Sequence, residues 1–178
     1  MKQLFILRHA KSSWADPGQR DFDRPLNARG RSAAPVMGAH MARQAYRPDY
    51  VLCSPAARTR ETLERIQPYL DPPAPTAYAE TLYLATAKQL LSEIAGLGDR
   101  HAAALVIGHN PGLEDLCARL ADPLAGDAAA LVAIGEKFPT AGLAVFTFPA
   151  NSWREISPHT GALVEFATPK GLAGRASA

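Results

Sequence analysis

The chain has 178 residues, a length that suits one domain of ordinary size spanning residues 1–178. Lys and Arg (19) nearly balance Asp and Glu (17), and the net charge of +2 comes with no basic stripe typical of a nucleic-acid-binding protein. The two cysteines are too few for a disulfide framework, and no apolar run approaches the roughly 20 residues that span a bilayer. We therefore expect a soluble, cytoplasmic monomer that binds neither nucleic acid nor a membrane.

Short apolar segments alternate with longer segments of helical periodicity along the chain. Strands are predicted at residues 4–7, 50–53, 76–79, 103–107, 142–148 and 162–168, the last of them pairing with 153–157. Helices are predicted at 28–46, 55–70, 87–97 and 111–121. Residues 170–178 are small and polar, which predicts a flexible tail.

This alternation predicts the fold class α/β. Helices that follow strands in turn favour a mostly parallel central sheet with helices on both faces, a three-layer α/β/α sandwich. Sheets of this kind bind ligands outside the carboxyl ends of their strands. The residues that follow each strand are therefore the candidates for a functional site.

Reactive side chains follow four of the predicted strands. Arg8 and His9 come directly after the first, Arg58 lies shortly after the second, Glu80 follows the third and His109 follows the fourth. Guanidinium groups present forked donors that match phosphate oxygens, and they stay charged. The set therefore indicates chemistry on a phosphate anion.

His9 is the candidate nucleophile. A neutral imidazole attacks well near pH 7, and nearby Arg8 and Arg58 favour its uncharged form. Attack on phosphorus leaves a phosphoramidate that water can hydrolyse. Arg8, Arg58 and His109 would bind the phosphoryl oxygens, whose charge must be stabilised in the transition state.

Five motifs occur in a characteristic order over residues 2–168. They are Leu7-Arg8-His9-Ala10-Lys11-Ser12, Asp23-Arg24-Pro25-Leu26-Asn27 with Arg29-Gly30, Ser54-Pro55-Ala56-Ala57-Arg58-Thr59, Gly108-His109-Asn110-Pro111-Gly112 and Phe138-Pro139-Thr140-Ala141. Together they resemble the SixA-type phosphohistidine phosphatases of the histidine phosphatase superfamily.

This resemblance implies a phosphoglycerate-mutase-like fold, His9 as nucleophile and a reaction that needs no metal and no cofactor. The residues expected to bind substrate are Arg8, Arg58, His109, Lys11, Ser12 and Asn110. A second interpretation is that Lys11 and Ser12 are polar residues that only solvate their loop. Ala10 departs from the superfamily, which usually has glycine after the nucleophile; alanine fits if the backbone there has a negative φ.

The general acid is open between three carboxylates. Glu80 lies where the family often carries one, and Asp16 and Asp23 in the first loop are the alternatives. A surface role for Glu80 is nearly as well supported as a proton-donating role.

The expected substrate is phosphohistidine on a phosphotransfer protein. Its leaving group is an imidazole, whose conjugate acid has a pKa of about 6.5, so cleavage does not need a strong general acid. The short stretch 81–108 also leaves no room for a long lid over the pocket. Two alternatives are a phosphatase for small phosphate esters and a non-catalytic module that recognises phosphorylated partners.

A cysteine phosphatase mechanism is excluded by spacing. Only four residues separate Cys53 from Arg58, none of them glycine, whereas such a loop needs five residues and glycine-rich backbone amides to wrap the phosphate. Cys53 is therefore expected to be a buried strand residue.

Overall fold

A computed structural model describes residues 1–176, which form a seven-stranded sheet in the order β3-β2-β4-β1-β6-β7-β5. The strands are β1 (Lys2–Arg8), β2 (Tyr50–Cys53), β3 (Thr76–Tyr78), β4 (Ala103–Gly108), β5 (Ala121–Gly126), β6 (Leu143–Phe148) and β7 (Gly161–Ala167). Only β6 runs against the other strands. The expected mostly parallel sheet is confirmed.

Helices cover both faces of this sheet. They are α1 (Ala28–Arg43), α2 (Ala57–Ile66), α3 (Ala87–Ala95), α4 (Gly112–Leu120), α5 (Ala128–Glu136) and α6 (Pro169–Ala176). One core cluster joins the sheet to α3, α4 and α5, and the other joins it to α1 and α2. Alternate residues of β1 enter different clusters, Leu4 and Ile6 the first and Phe5 and Leu7 the second, because successive strand side chains point to opposite faces. The three-layer α/β/α architecture is thus confirmed.

The helix starts carry recognisable caps. Asn27 accepts a hydrogen bond from Gly30 N at the start of α1, as its sequence position predicts. Thr86 and Gln89 form a capping box at the start of α3. Within residues 1–176, no helix has both the length and the apolar character needed to cross a membrane.

In the second half of the chain one expectation is wrong and one strand was not predicted. The segment 153–157 does not pair with β7, because Trp153–Glu155 forms a 3-10 turn that buries the Trp153 ring completely and directs its Nε1 to His101 O (2.8 Å). Strand β7 pairs with β6 and β5 instead. The sequence also gave no signal for β5, since an edge strand containing Asp122 and Pro123 has no apolar alternation.

The C-terminal segment also differs from expectation. A flexible tail was predicted for residues 170–178, but α6 extends from Pro169 to Ala176 and begins with Thr168 Oγ1 accepting from Gly171 N. Leu172 packs against the core cluster that contains α1 and α2, which accounts for helical order there. Residues 177 and 178 lie outside the described part of the chain.

Candidate active site

The three central strands bring their carboxyl ends together. Strand β4 lies between β2 and β1, and the register pairs Arg8 with Gly108 and Cys53 with Ile107. The next residues along the chain, His9, Ser54 and His109, therefore enter one small region. Arg58, in the first turn of α2, reaches the same region.

His9 is buried, with 7% of its surface exposed. Its Nδ1 lies 2.7 Å from Ala10 O, and because a carbonyl oxygen only accepts, Nδ1 carries the ring proton. Nε2 then carries an unprotonated lone pair, which accepts a hydrogen bond from Arg58 Nε at 3.3 Å. Burial, helped by the charges of Arg58, Arg8 and Arg24 and opposed by the bond to Ala10 O, lowers the pKa of His9 to about 3. His9 is therefore neutral at physiological pH.

Arg58 is held by a carboxylate that sequence reasoning did not consider. Its Nη1 donates to Asp21 O (2.6 Å) and its Nη2 to Asp21 Oδ2 (3.0 Å). Tyr83 Oη donates to the same Oδ2 (2.6 Å), and Arg24 pairs with the other oxygen (3.1 Å). Partial burial opposes ionisation of Asp21, but these hydrogen bonds and positive charges outweigh it and lower its pKa to about 2. Asp21 is thus a fixed negative charge behind Arg58.

His109 completes the buried group beside His9. The two ring centroids are 5.2 Å apart, and the Tyr83 ring meets His109 edge-on at 5.5 Å. His109 Nε2 lies 2.8 Å from Ser54 Oγ. Burial, followed by the charge of Arg58, lowers the pKa of His109 to about 3. Its Nδ1 is buried and has no hydrogen-bond partner in the part of the chain described.

Arg8 leaves part of its guanidinium unused. Its Nη1 donates to Phe138 O (2.8 Å), whereas its buried Nε meets no partner among residues 1–176. Asn110 Nδ2 donates to the same carbonyl (3.1 Å) and to Glu114 Oε2 (2.8 Å). The Asn110 amide donor group is therefore engaged by the protein, and it helps to hold the segment that anchors Arg8.

The structure does not bring every candidate into this group. Glu80 begins the 3-10 turn Glu80–Leu82, is exposed, and makes no side-chain hydrogen bond to any residue described. Lys11 is exposed, and Ser12 is buried and bridges to Leu26 through its backbone. Of the two alternative acids, Asp23 pairs with Arg20 (2.7 Å), and the exposed Asp16 accepts from Gly18 N (2.9 Å).

Asp21 and Tyr83 are the residues that sequence reasoning missed at this site. A signal existed for Asp21, since it precedes Arg24 by three residues in a turn-forming segment and so lies within reach of that cation. Tyr83 had no signal, because only the fold brings the turn after β3 against the first loop, where its ring meets Phe22 at 5.0 Å.

Two other types of chemistry find no support in the geometry. Burial raises the pKa of the Cys53 thiol to about 12, so it has no thiolate character, and the expectation of a buried strand residue is confirmed. Across residues 1–176, no group of three or more His, Cys, Asp or Glu side chains is arranged to hold a metal ion.

Comparison with known proteins identifies the family. The model of the histidine phosphatase superfamily (branch 1) matches residues 4–82. The uncharacterized protein Rv1276c of Mycobacterium tuberculosis is 41% identical over 164 residues, which are 92% of this chain and 100% of that protein. The candidate phosphohistidine phosphatase SixA from Agrobacterium tumefaciens is 33% identical with a TM-score of 0.77, covering 94% of this chain and 98% of that one.

A second SixA structure, the candidate phosphohistidine phosphatase from Nakamurella multipartitia, is 27% identical with a TM-score of 0.81, covering 94% of this chain and 96% of that one. These similarities support phosphatase activity on a phosphorylated substrate, and the likeness to the two SixA structures extends over nearly the whole chain. The two SixA structures are thus similar to this chain over most of its length, and the chain belongs to the histidine phosphatase superfamily.

Proposed function

We propose that this protein is a cytoplasmic phosphohistidine phosphatase in which His9 Nε2 attacks the phosphorus of phosphohistidine on a phosphotransfer protein. The observation that carries the proposal is the neutral, buried His9, whose unprotonated Nε2 lone pair accepts from a buried arginine. A protonated imidazole has no lone pair at either nitrogen, so the low pKa of His9 maintains the nucleophile throughout the physiological range.

The first chemical step is an in-line displacement. A bond forms between His9 Nε2 and phosphorus while the bond from phosphorus to the substrate nitrogen breaks, and the electron pair leaves with that nitrogen. In the second step water attacks the same phosphorus, the bond to Nε2 breaks, and inorganic phosphate leaves. His9 thereby regains its lone pair.

The donors around His9 match the charge that develops in both steps. Arg8 Nε is a buried N–H without a partner among the described residues, a favourable donor for a phosphoryl oxygen. If the Ser54 hydroxyl donates to Nε2 of neutral His109, the ring proton is on Nδ1, which is likewise buried and unpaired in residues 1–176. Arg58, which Asp21 orients by accepting a hydrogen bond from its Nη2, supplies a third contact to the phosphoryl group.

The limited ability of the nearby carboxylates to donate a proton favours a substrate whose leaving group is an imidazole. Asp21, with a pKa of about 2, is ionised and cannot donate a proton at neutral pH. Glu80 is exposed and unconnected to the buried group, so its assignment as general acid stays a prediction. A phosphohistidine whose other ring nitrogen is protonated leaves as neutral imidazole, whereas an alkoxide needs a strong donor.

Direct contact with substrate has less support for Lys11, Ser12 and Asn110. Asn110 supports Arg8 through Phe138 O, which favours a positioning role over direct contact with substrate. Lys11 is exposed at the edge of the site, where it can meet a protein partner.

The experiment compares wild type with His9→Ala on a chemically phosphorylated histidine peptide, a phosphoserine peptide and a panel of sugar phosphates, with EDTA present throughout. We expect wild type to cleave the histidine peptide with the highest kcat/KM and His9→Ala to lose turnover on every substrate. The matched control is His159→Ala, which removes an exposed imidazole whose ring nitrogen Nδ1 lies 3.0 Å from Ala121 O.

Three results would contradict the proposal. Full activity of His9→Ala would exclude the covalent mechanism, and a preference for sugar phosphates would favour the small-ester alternative. Loss of wild-type activity in EDTA would exclude the expected metal independence.

A further inference from the structure

A second cationic region lies on the same edge of the sheet as His9. It is a cavity of about 320 Å³ whose lining includes four cationic side chains. We call Lys11, Arg29, Lys137 and Lys170 the cationic patch. None of the described residues that line this cavity is acidic.

The sheet explains why the patch adjoins the proposed catalytic pocket. Strand β6 is antiparallel to β1, and β7 is antiparallel to β6, so the register Leu7 to Leu143 to Ala167 places the end of β1, the start of β6 and the end of β7 side by side. The segments that adjoin these three ends carry Lys11, Lys137 and Lys170. The patch therefore flanks the β1 end opposite to the side where β4 delivers His109.

Backbone contacts join the patch to the pocket. Ala141 N donates to both Arg8 O and His9 O (3.1 Å each), and Phe138 O accepts from Arg8 Nη1. The segment that carries Lys137 is thus bonded directly to the two residues at the centre of the proposed reaction.

A close contact between the start of α1 and the backbone of Lys11 positions the other side of the patch. Asn27 N donates to Lys11 O (2.9 Å), and a Cβ added to Gly30 would lie 2.1 Å from the same oxygen. Glycine at this position lets the first turn of α1 pack against the backbone of Lys11, so that Arg29 and Lys11 line one cavity.

The patch is not neutralised from within the chain. Among the residues described, no ion pair involves any of its four members. Arg29 and Lys170 lie in the first turns of α1 and α6, which contain no acidic residue. A cation is unfavourable at a helix N-terminus, where the macrodipole favours anions. An anionic partner from outside the chain would pair with these unpaired cations and would offset the unfavourable placement of two of them at helix N-termini.

The exposure of these side chains indicates what kind of anion they meet. Arg58 and His9 are buried, as suits a site that desolvates one phosphoryl group, but all four members of the patch are exposed. Three of them are lysines, strongly hydrated charges on flexible stems that suit dispersed carboxylates and electrostatic steering.

We propose that the cationic patch docks an acidic surface of the phosphorylated protein whose phosphohistidine enters the pocket at His9. This inference rests on the proposed function and adds the charge of the partner to it. The patch would act before chemistry, by increasing the rate of encounter and orienting the partner.

The test uses two phosphohistidine peptides of equal length, one with four glutamates around the phosphohistidine and one with four glutamines. At low salt we expect wild type to prefer the acidic peptide by about tenfold in kcat/KM, and the preference to shrink in high salt. Lys137→Glu/Lys170→Glu should abolish or reverse the preference while leaving kcat/KM for p-nitrophenyl phosphate unchanged, because that small ester reaches only the pocket.

The matched control is Arg47→Glu/Arg100→Glu. It changes the net charge by the same amount at two exposed positions that precede β2 and β4, on the opposite edge of the sheet. The control should keep the preference. An equal loss in both double variants would attribute the effect to net charge and overturn the inference.

Other outcomes separate this inference from the proposed function. Equal rates of wild type on both peptides would overturn docking while leaving the phosphohistidine activity intact. If Lys137→Glu/Lys170→Glu slowed hydrolysis of inorganic pyrophosphate but kept the peptide preference, the patch would bind a second phosphate group, and the acidic partner would be wrong. If neither peptide were cleaved, the proposed substrate would fail, and phosphoserine versions of the two peptides would test docking alone.

Discussion

Stability should depend on pH through His9 in a direction that the structure fixes. The unfolded chain protonates this imidazole near pH 6.5, whereas the folded chain keeps it neutral until about pH 3. Between these values the unfolded state binds more protons, so the free energy of unfolding falls as pH falls and is undiminished by this group above pH 6.5. One proton of difference corresponds to about 1.4 kcal/mol per pH unit, or about 2 kcal/mol between pH 6.0 and 4.5.

The perturbation is His9→Asn, measured by urea unfolding at several pH values in that window. Trp153 is completely buried and gives a fluorescence signal for global unfolding. Because the variant lacks the titrating group, its free energy of unfolding should fall less steeply, and its deficit relative to wild type should shrink by about 2 kcal/mol from pH 6.0 to 4.5.

The control is Leu63→Ala, a substitution in the core that removes no titrating group. It should lower stability by about 2–5 kcal/mol at every pH in the window without changing the slope. Parallel pH dependences for wild type and His9→Asn would show that the folded protein protonates His9 normally. The argument for a neutral nucleophile in this pocket would then fail.

Two further predictions concern the residues that frame the site. Asp21→Asn should lower kcat/KM on a phosphohistidine peptide by about tenfold, because Arg58 loses the carboxylate that orients it, and an unchanged value would refute that role. Gly30→Ala should destabilise the protein by about 1–3 kcal/mol, since the new Cβ would clash with Lys11 O. Gly135→Ala meets nothing within 4 Å and should be neutral or stabilising by up to about 1 kcal/mol, so equal urea midpoints for the two variants would contradict the packing argument.

Short buried strands were the elements that the sequence predicted best. The second strand has the predicted bounds, Tyr50–Cys53, and the first is longer than predicted because Lys2, Gln3 and Arg8 also join the pairing with its neighbours. Buried parallel strands are continuous apolar runs, a local signal that survives folding. The first helix ends at Arg43 because Ala45 has a positive φ, a feature that composition does not reveal.

Elements defined by their surroundings were predicted poorly. The segment Ala121–Gly126 is a strand only because it lies beside β7, and Trp153–Glu155 turns because the Trp153 ring is completely buried in the core. The small polar residues of the tail predict a flexible segment, yet contact of Leu172 with the core accompanies helix formation there. In each case a tertiary contact outweighed weak local preference.

At the candidate site, too, some features follow from the sequence and others only from tertiary contacts. The sequence determined that Arg8, His9 and His109 follow strands of a mostly parallel sheet, whose carboxyl ends gather at one edge, whereas the tertiary structure placed β1 beside β4. Only the tertiary structure decided that Asp21 reaches Arg58, since loops find their partners through contacts distant along the chain. Burial likewise sets the pKa of His9, because desolvation depends on everything packed around the ring and not on its neighbours in sequence.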